Sequence, residues 1–182
     1  MVAILLGNGF EPVEAIAPCD ILRRGGVEVK LASVHPQRLV HGGQGVRVEA
    51  DCLVGDLRAQ DLDMVVLPGG LGGVESILAS EEALALVKAV HAAGRYVAAI
   101  CAAPTILAKL HITDGKRATC YPGMEAHMGS ASMTGAPTEQ DGTILTGRAA
   151  GSAEAFGLRL LAALHGEAAA AAVADQIVST GV

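Results

Sequence analysis

Four short apolar runs, Val2–Leu6, Val27–Val34, Met64–Leu67 and Tyr96–Ile100, are separated by stretches of helical spacing. Glycine or proline lies at or near their ends. Runs of this length and punctuation suit strands buried on both faces, which requires helices above and below a parallel sheet. The alternation therefore predicts an α/β sandwich around a mostly parallel sheet, in one domain spanning residues 1–182.

The intervening segments carry helix signals. Pro12 suits a first helical position, and Val13, Ile16, Ala17 and Ile21 follow at helical spacing up to Gly25–Gly26. Pro18 falls inside that pattern and admits a kink or a later start. Ser80 is a natural cap for a helix through Ala83, Val87 and Val90, ended by Gly94. Further helices are expected over Ala102–Leu110, through "SAEAFGLRLLAALHG", and in the alanine-rich "GEAAAAAVADQIVST". Thr138–Leu145, with Asp141–Gly142 between β-type flanks, predicts a hairpin. Gly42–Val54 is expected to supply an antiparallel edge pair.

Composition narrows the function. The 182 residues are 51% hydrophobic and 18% charged, with no Trp, two Tyr and two Phe. So few aromatics leave little for base stacking, and a net charge of −6 opposes binding to nucleic acid or anionic membranes. The N-terminal "MVAILLGNGF" has no basic start and reads as a buried strand rather than a signal peptide. No run approaches the ~18 apolar residues needed to span a bilayer. Cys19, Cys52, Cys101 and Cys120 share no metal-type or redox-pair spacing, and no metal site is expected from them or from the histidines. Reduced thiols in a cytoplasmic protein are the expectation.

One of these cysteines has a special setting. "VAAICAAP" places Cys101 between the strand Tyr96–Ile100 and the next helix, where open α/β sheets collect ligands. A nucleophile elbow turns so sharply that its neighbours must be small, and Ala99 and Ala103 meet that demand. The following helix would aim its N-terminus at the sulfur. A cysteine is also a small buried hydrophobe, and the octapeptide alone leaves both readings open. "VVLPGG" adds a turn at the end of another strand, where Gly69 and Gly70 let backbone amides approach a ligand. Amides of Gly70 and Ala102 would then form an oxyanion pocket. In "EPVEA", Glu14 lies on the helical stripe with Ala17 and Ile21 and so faces the core. There it must be ion-paired, hydrogen-bonded or protonated. A protonated Glu14 would donate to the Cys101 thiolate and lower its pKa; an ionised one would do the reverse.

"EPVEA", "VVLPGG" and "VAAICAAP", in this order, together resemble the ThiJ/PfpI family, as do "DILRRGGVEVKLAS" and "GTILTGRAAGSAEAFGLRLLAALHG". The resemblance covers nearly the whole chain. It is closest to the branch of the parkinsonism-associated protein deglycase, since Ala102, not histidine, follows the cysteine. It implies a flavodoxin-like fold, a homodimer, and Cys101 as nucleophile and oxidation-sensitive thiol with Glu14 as protonated partner. Gly69, Gly70 and Ala102 would bound the oxyanion pocket, with Arg148 near its mouth. The implied activities are cofactor-free conversion of small 2-oxoaldehydes to hydroxy acids, repair of glycated proteins, and redox-linked chaperoning. One departure stands out: "ATCYPGM" puts Tyr121 where several members carry histidine. His127, six residues on, is a candidate substitute, although a surface histidine is the plainer reading.

Two other classes compete. Oxidation of Cys101 to a sulfinate would make the protein a redox sensor or chaperone. "HGE" at 165–167 superficially resembles the His-x-Glu of cysteine amidases, but His165 should end a helix at the edge opposite the nucleophile. Protease activity lacks any sign of an extended peptide groove.

Overall fold

The computed structural model describes residues 1–180. In chain order the elements are β1 (Val2–Leu6), α1 (Pro12–Arg24), β2 (Val29–Ser33), β3 (Leu39–His41), β4 (Arg47–Glu49), β5 (Cys52–Leu53) and β6 (Met64–Leu67). Next come α2 (Leu71–Ala79), α3 (Glu81–Ala92), β7 (Tyr96–Ile100), α4 (Pro104–Lys109), β8 (Arg117–Ala118) and β9 (Ser132–Met133). The hairpin β10 (Thr138–Asp141) and β11 (Ile144–Gly147) and the helices α5 (Ala153–His165) and α6 (Glu167–Gln176) complete the set.

Seven strands form one sheet in the order β10-β11-β7-β6-β1-β2-β5. Every neighbouring pair is parallel except β10 with β11. The chain builds outward from β1 to β2 and β5, then returns to lay β6, β7 and β11 on the other side. The order thus reverses between β1 and β6, and a crevice opens at the carboxyl ends of these strands. This is a flavodoxin-like α/β sandwich.

Side chains of the central strands alternate between two cores, as the two-residue period requires. Val2, Ile4, Leu6, Met64, Val66, Ala98 and Ile100 pack beneath α1, α5 and α6. Ala3, Leu5, Val65, Leu67, Val97 and Ala99 pack against α2, α3 and α4. Val2 through Leu6 are all 0% exposed, which explains a run without polar alternation. Among the described residues, no helix is long and apolar enough to cross a membrane.

Two expectations need correction. The segment 42–54 does not supply an antiparallel edge to the sheet. Leu39–His41 and Arg47–Glu49 pair with each other in a separate ribbon, and Cys52–Leu53 joins β2 in parallel. The helix expected from Ala102 begins at Pro104, because residues 101–103 are taken up by the turn out of β7. Helix α2 has no counterpart in the sequence reading. Pro18, by contrast, neither starts nor breaks α1, which runs through it.

The α1–α5 contact is close enough to require glycine. A Cβ at Gly157 would lie 2.8 Å from Ile21 Cδ1 and 3.0 Å from Pro18 Cα, and the latter is backbone that cannot rotate away. Gly157→Val is therefore expected to lower unfolding stability by about 2–3 kcal/mol through overpacking, read as a reduced urea midpoint at unchanged slope.

Candidate functional site

Cys101 follows β7 with φ = 66°, one of four non-glycine residues with positive φ among those described. The left-handed region is unfavourable for a residue with a Cβ, and it persists only where the surroundings hold it. Here both backbone polar groups are tied. The Cys101 N–H donates to Gly147 O at 2.9 Å, and its carbonyl accepts from Tyr121 N–H at 2.7 Å. Ala99, Ala102 and Ala103 are buried around the turn, where larger side chains would not fit. The half-buried sulfur is thereby pushed out over the carboxyl edge of the sheet.

Glu14 reaches the same point from α1. Pro12 sets the helix start, and the 3.6-residue period turns Glu14 inward until it is 0% exposed. Its Oε2 accepts the Gly69 N–H at 2.8 Å. Its Oε1 is buried without a hydrogen-bond partner among the described residues, and the carboxyl lies against the Cys101 side chain, to which it is coupled. Gly69 has no alternative here: a Cβ would sit 2.5 Å from Glu14 Oε2 and 2.7 Å from Cys101 Cβ. Gly70, at φ = 81°, turns its amide toward the sulfur, as Ala102 does from the other side.

The two acids titrate as a pair. Burial raises the Glu14 carboxyl from 4.5 to about 6, against the lowering effect of its bonds to Cys101 and Gly69, while the nearby Glu11 charge raises it further. Burial and an ionised Glu14 together push the Cys101 thiol up to about 12, against the pull of the Ala102 and Gly70 amides. One proton therefore leaves near neutrality and the second is held far into the alkaline range. Taken singly, these shifts put the charge on Glu14 and the proton on the sulfur at neutral pH. The greater exposure of the sulfur and its two amides, against one for the carboxyl, favour the opposite placement, in which Glu14 keeps the proton and Cys101 is the thiolate. Burial likewise raises Cys19, Cys52 and Cys120, and the Cys120 thiol, pushed up to about 11, donates to Tyr121 O at 3.5 Å.

A cavity of ≈ 390 Å³ opens above the pair, lined by Leu71, Tyr121, Met124, Ala149 and Ala150, with Glu11 beside it. Tyr121 is brought to the site, its ring forming a wall while its amide holds Cys101. Arg148 and His127 are not. Backbone alternation beyond β11 points Ala149 into the cavity and Arg148 into a separate recess with Cys120 and Glu125. His127 lies exposed on a short turn and lines another recess, with Thr105 and Lys109. The sequence reading missed Glu11, Leu71 and Met124. Glu11 carried a usable signal, since it lies three residues before Glu14 and shares its helix face. A larger cleft of ≈ 570 Å³ lies at the opposite edge beside Arg95 and His165, but it contains no thiol. His165 there bonds Gly25 O at 3.1 Å, far from the nucleophile. Among the described residues, no three metal-ligating side chains cluster.

The model of the DJ-1/PfpI family matches residues 1–163. The chain belongs to the DJ-1/PfpI family. It is 37% identical over 179 residues to protein DJ-1 homolog B of Arabidopsis thaliana, covering 97% of this chain but 41% of that protein. The chain thus spans less than half the length of that relative. A deglycase of Pyrococcus abyssi is 32% identical over 157 residues, covering 85% of this chain and 93% of that protein. The structure of oxidized Toxoplasma gondii DJ-1 superposes with a TM-score of 0.94 at 30% identity, covering 99% and 98% of the two chains.

The carboxyl–thiol pair couples stability to pH. Between 4.5 and about 6 the folded chain retains a proton on the pair that the unfolded chain has released. Stability present below 4.5 is therefore lost as pH rises through about 6, by about 2 kcal/mol. Urea denaturation across this window is expected to show that fall in the wild type and not in Glu14→Gln.

Proposed function

We propose that this protein is a cofactor-independent cysteine enzyme that converts reactive 2-oxoaldehydes, free or as protein adducts, to 2-hydroxy acids. The observation that carries the reading is the buried Glu14 carboxyl set against Cys101, whose sulfur faces the Gly70 and Ala102 amides. With one proton shared between them and held by Glu14, such a pair supplies a nucleophile at neutral pH and an acid poised beside it.

The Cys101 sulfur adds to the aldehyde carbon, forming a C–S bond while the carbonyl π electrons move to oxygen. The Gly70 and Ala102 amides stabilise that oxyanion, which takes the proton from Glu14. Glu14, now a carboxylate, removes the hydrogen from the former aldehyde carbon as a proton and returns it to the neighbouring carbon, while the hydroxyl proton passes from the first oxygen to the second, leaving a 2-hydroxy thioester. Water cleaves the thioester, and the sulfur leaves as thiolate and the hydroxy acid as its carboxylate; of the two protons freed, one returns to Glu14 and the other passes to solvent. The internal oxidation and reduction cancel, so no external oxidant or cofactor enters. A similar deglycase in Pyrococcus abyssi supports the assignment.

A second reading has its own observation. The half-buried sulfur with a carboxyl donor at hand suits stepwise oxidation by a peroxide, which would supply both sulfinate oxygens and be reduced to water or alcohol. The relative solved in oxidized form favours this reading as a regulatory fate of the same thiol. We further propose a cytoplasmic homodimer, as the resemblance implies; the exposed Val13 and Ile16 of α1 are apolar surface that such an assembly would cover.

Purified protein given methylglyoxal without glutathione or metal is expected to form lactate steadily, and Cys101→Ser to form none. Equal turnover by Cys101→Ser would remove the cysteine mechanism. No turnover by the wild type, together with sulfinate formation confined to Cys101 under mild peroxide, would select the redox reading.

A further inference from the structure

The charges around the Cys101 cavity are one-sided. Glu11 and Glu14 both line it, and among the described residues no lysine, arginine or histidine does. Arg148, which could have balanced them, is turned into the neighbouring recess. With the shared proton on Glu14, the standing charges of the cavity are those of the Cys101 thiolate, which is the nucleophile itself, and of Glu11 beside it.

Glu11 is held in place by its backbone. Its N–H donates to Gly69 O at 3.0 Å, and the preceding Phe10 carbonyl accepts from Gly43 N–H at 2.8 Å, with Phe10 itself 1% exposed. It occupies the N-cap position of α1, yet its side chain makes no capping bond there. No salt bridge among the described residues uses its carboxylate, although ten such pairs form elsewhere. Its field nevertheless reaches the site, raising the Glu14 carboxyl. A carboxylate without a partner, beside an apolar cavity that focuses its field, is well placed to select ligands by charge.

The geometry points to Glu11 as a charge gate that admits neutral or cationic electrophiles to Cys101 and turns carboxylates away. At separations of several ångströms and an intermediate dielectric, one such charge changes the local concentration of a monoanion by roughly tenfold. For the reaction proposed above, on which this consequence rests, the gate acts twice. A neutral 2-oxoaldehyde, or a carbonyl adduct on a cationic side chain, enters freely, whereas an oxo acid or a glutathione hemithioacetal is disfavoured by roughly tenfold. The product is a carboxylate, so the same field expels it.

Alkylation of Cys101 isolates the gate from turnover. Iodoacetamide and iodoacetate react identically: the thiolate sulfur forms a bond to carbon and iodide leaves. The reagents differ in charge and hardly in size. Rates at Cys101, followed by peptide mass, are each normalised to those of cysteine in the urea-unfolded chain. The wild type is expected to favour iodoacetamide over iodoacetate by about tenfold more than the unfolded chain does. That excess should shrink with added salt and largely vanish in Glu11→Gln, whose folding is checked by circular dichroism. A wild-type ratio equal to that of the unfolded chain, or a ratio unchanged in Glu11→Gln, would overturn the gate. These readings hold whether or not methylglyoxal is turned over. Lactate formation with an ordinary alkylation ratio would leave the activity standing and remove the gate; selective alkylation without lactate would do the opposite.

Discussion

The carboxyl group of Glu14 is 0% exposed, accepts one backbone N–H, and has one oxygen without a hydrogen-bond partner among the described residues. Isolated burial of that charge would be costly, so the group is protonated or stabilised by its surroundings, and Cys101 is the titratable group set against it. Much of the local structure serves that contact. Gly69 must lack a side chain because the carboxylate and the Cys101 Cβ occupy the space. Gly70 must adopt positive φ to turn its amide toward the sulfur. Cys101 itself occupies the left-handed region, held by Gly147 on one side and Tyr121 on the other.

These fragments meet because of topology rather than sequence proximity. Glu14 follows β1, Gly69 and Gly70 follow β6, and Cys101 follows β7, and these three strands are adjacent at the reversal of strand order. Parallel pairing puts their carboxyl ends on one edge, so three sequence-distant turns converge without a long loop. Both faces of the sheet are packed, which fixes the strand ends and leaves the turns as the adaptable part. The charge of the site then follows from two small directional choices: Glu11 at the start of α1 lines the cavity, and Arg148 just beyond β11 does not.

Much of this was legible in the sequence. The runs Met64–Leu67 and Tyr96–Ile100 coincide with observed strands because apolar continuity and flanking turns agree. The run from Val27 is trimmed to Val29–Ser33 because Val27 N–H instead closes the end of α1 on Leu22 O. Helix α2 was hidden by Gly72 and Gly73, poor helix formers that are needed for packing. A Cβ at Gly73 would come within 2.7 Å of Phe10 Cα, so a tertiary contact overrides local propensity. The elbow and the glycine turn were visible because their steric demands are written in small residues. The outward turn of Arg148 was not, since one residue of backbone alternation decides it.

The most direct test is an ultraviolet titration of the thiolate in the folded wild type, with Cys101→Ser subtracted. If Glu14 keeps the shared proton and the sulfur carries the charge, thiolate absorbance rises through about 6, where the pair loses its first proton. Absorbance that stays flat through neutrality and rises only toward about 12 would mean that the carboxylate holds the charge and the thiol the proton. In that case the nucleophile is not preformed, and the account given for this site fails.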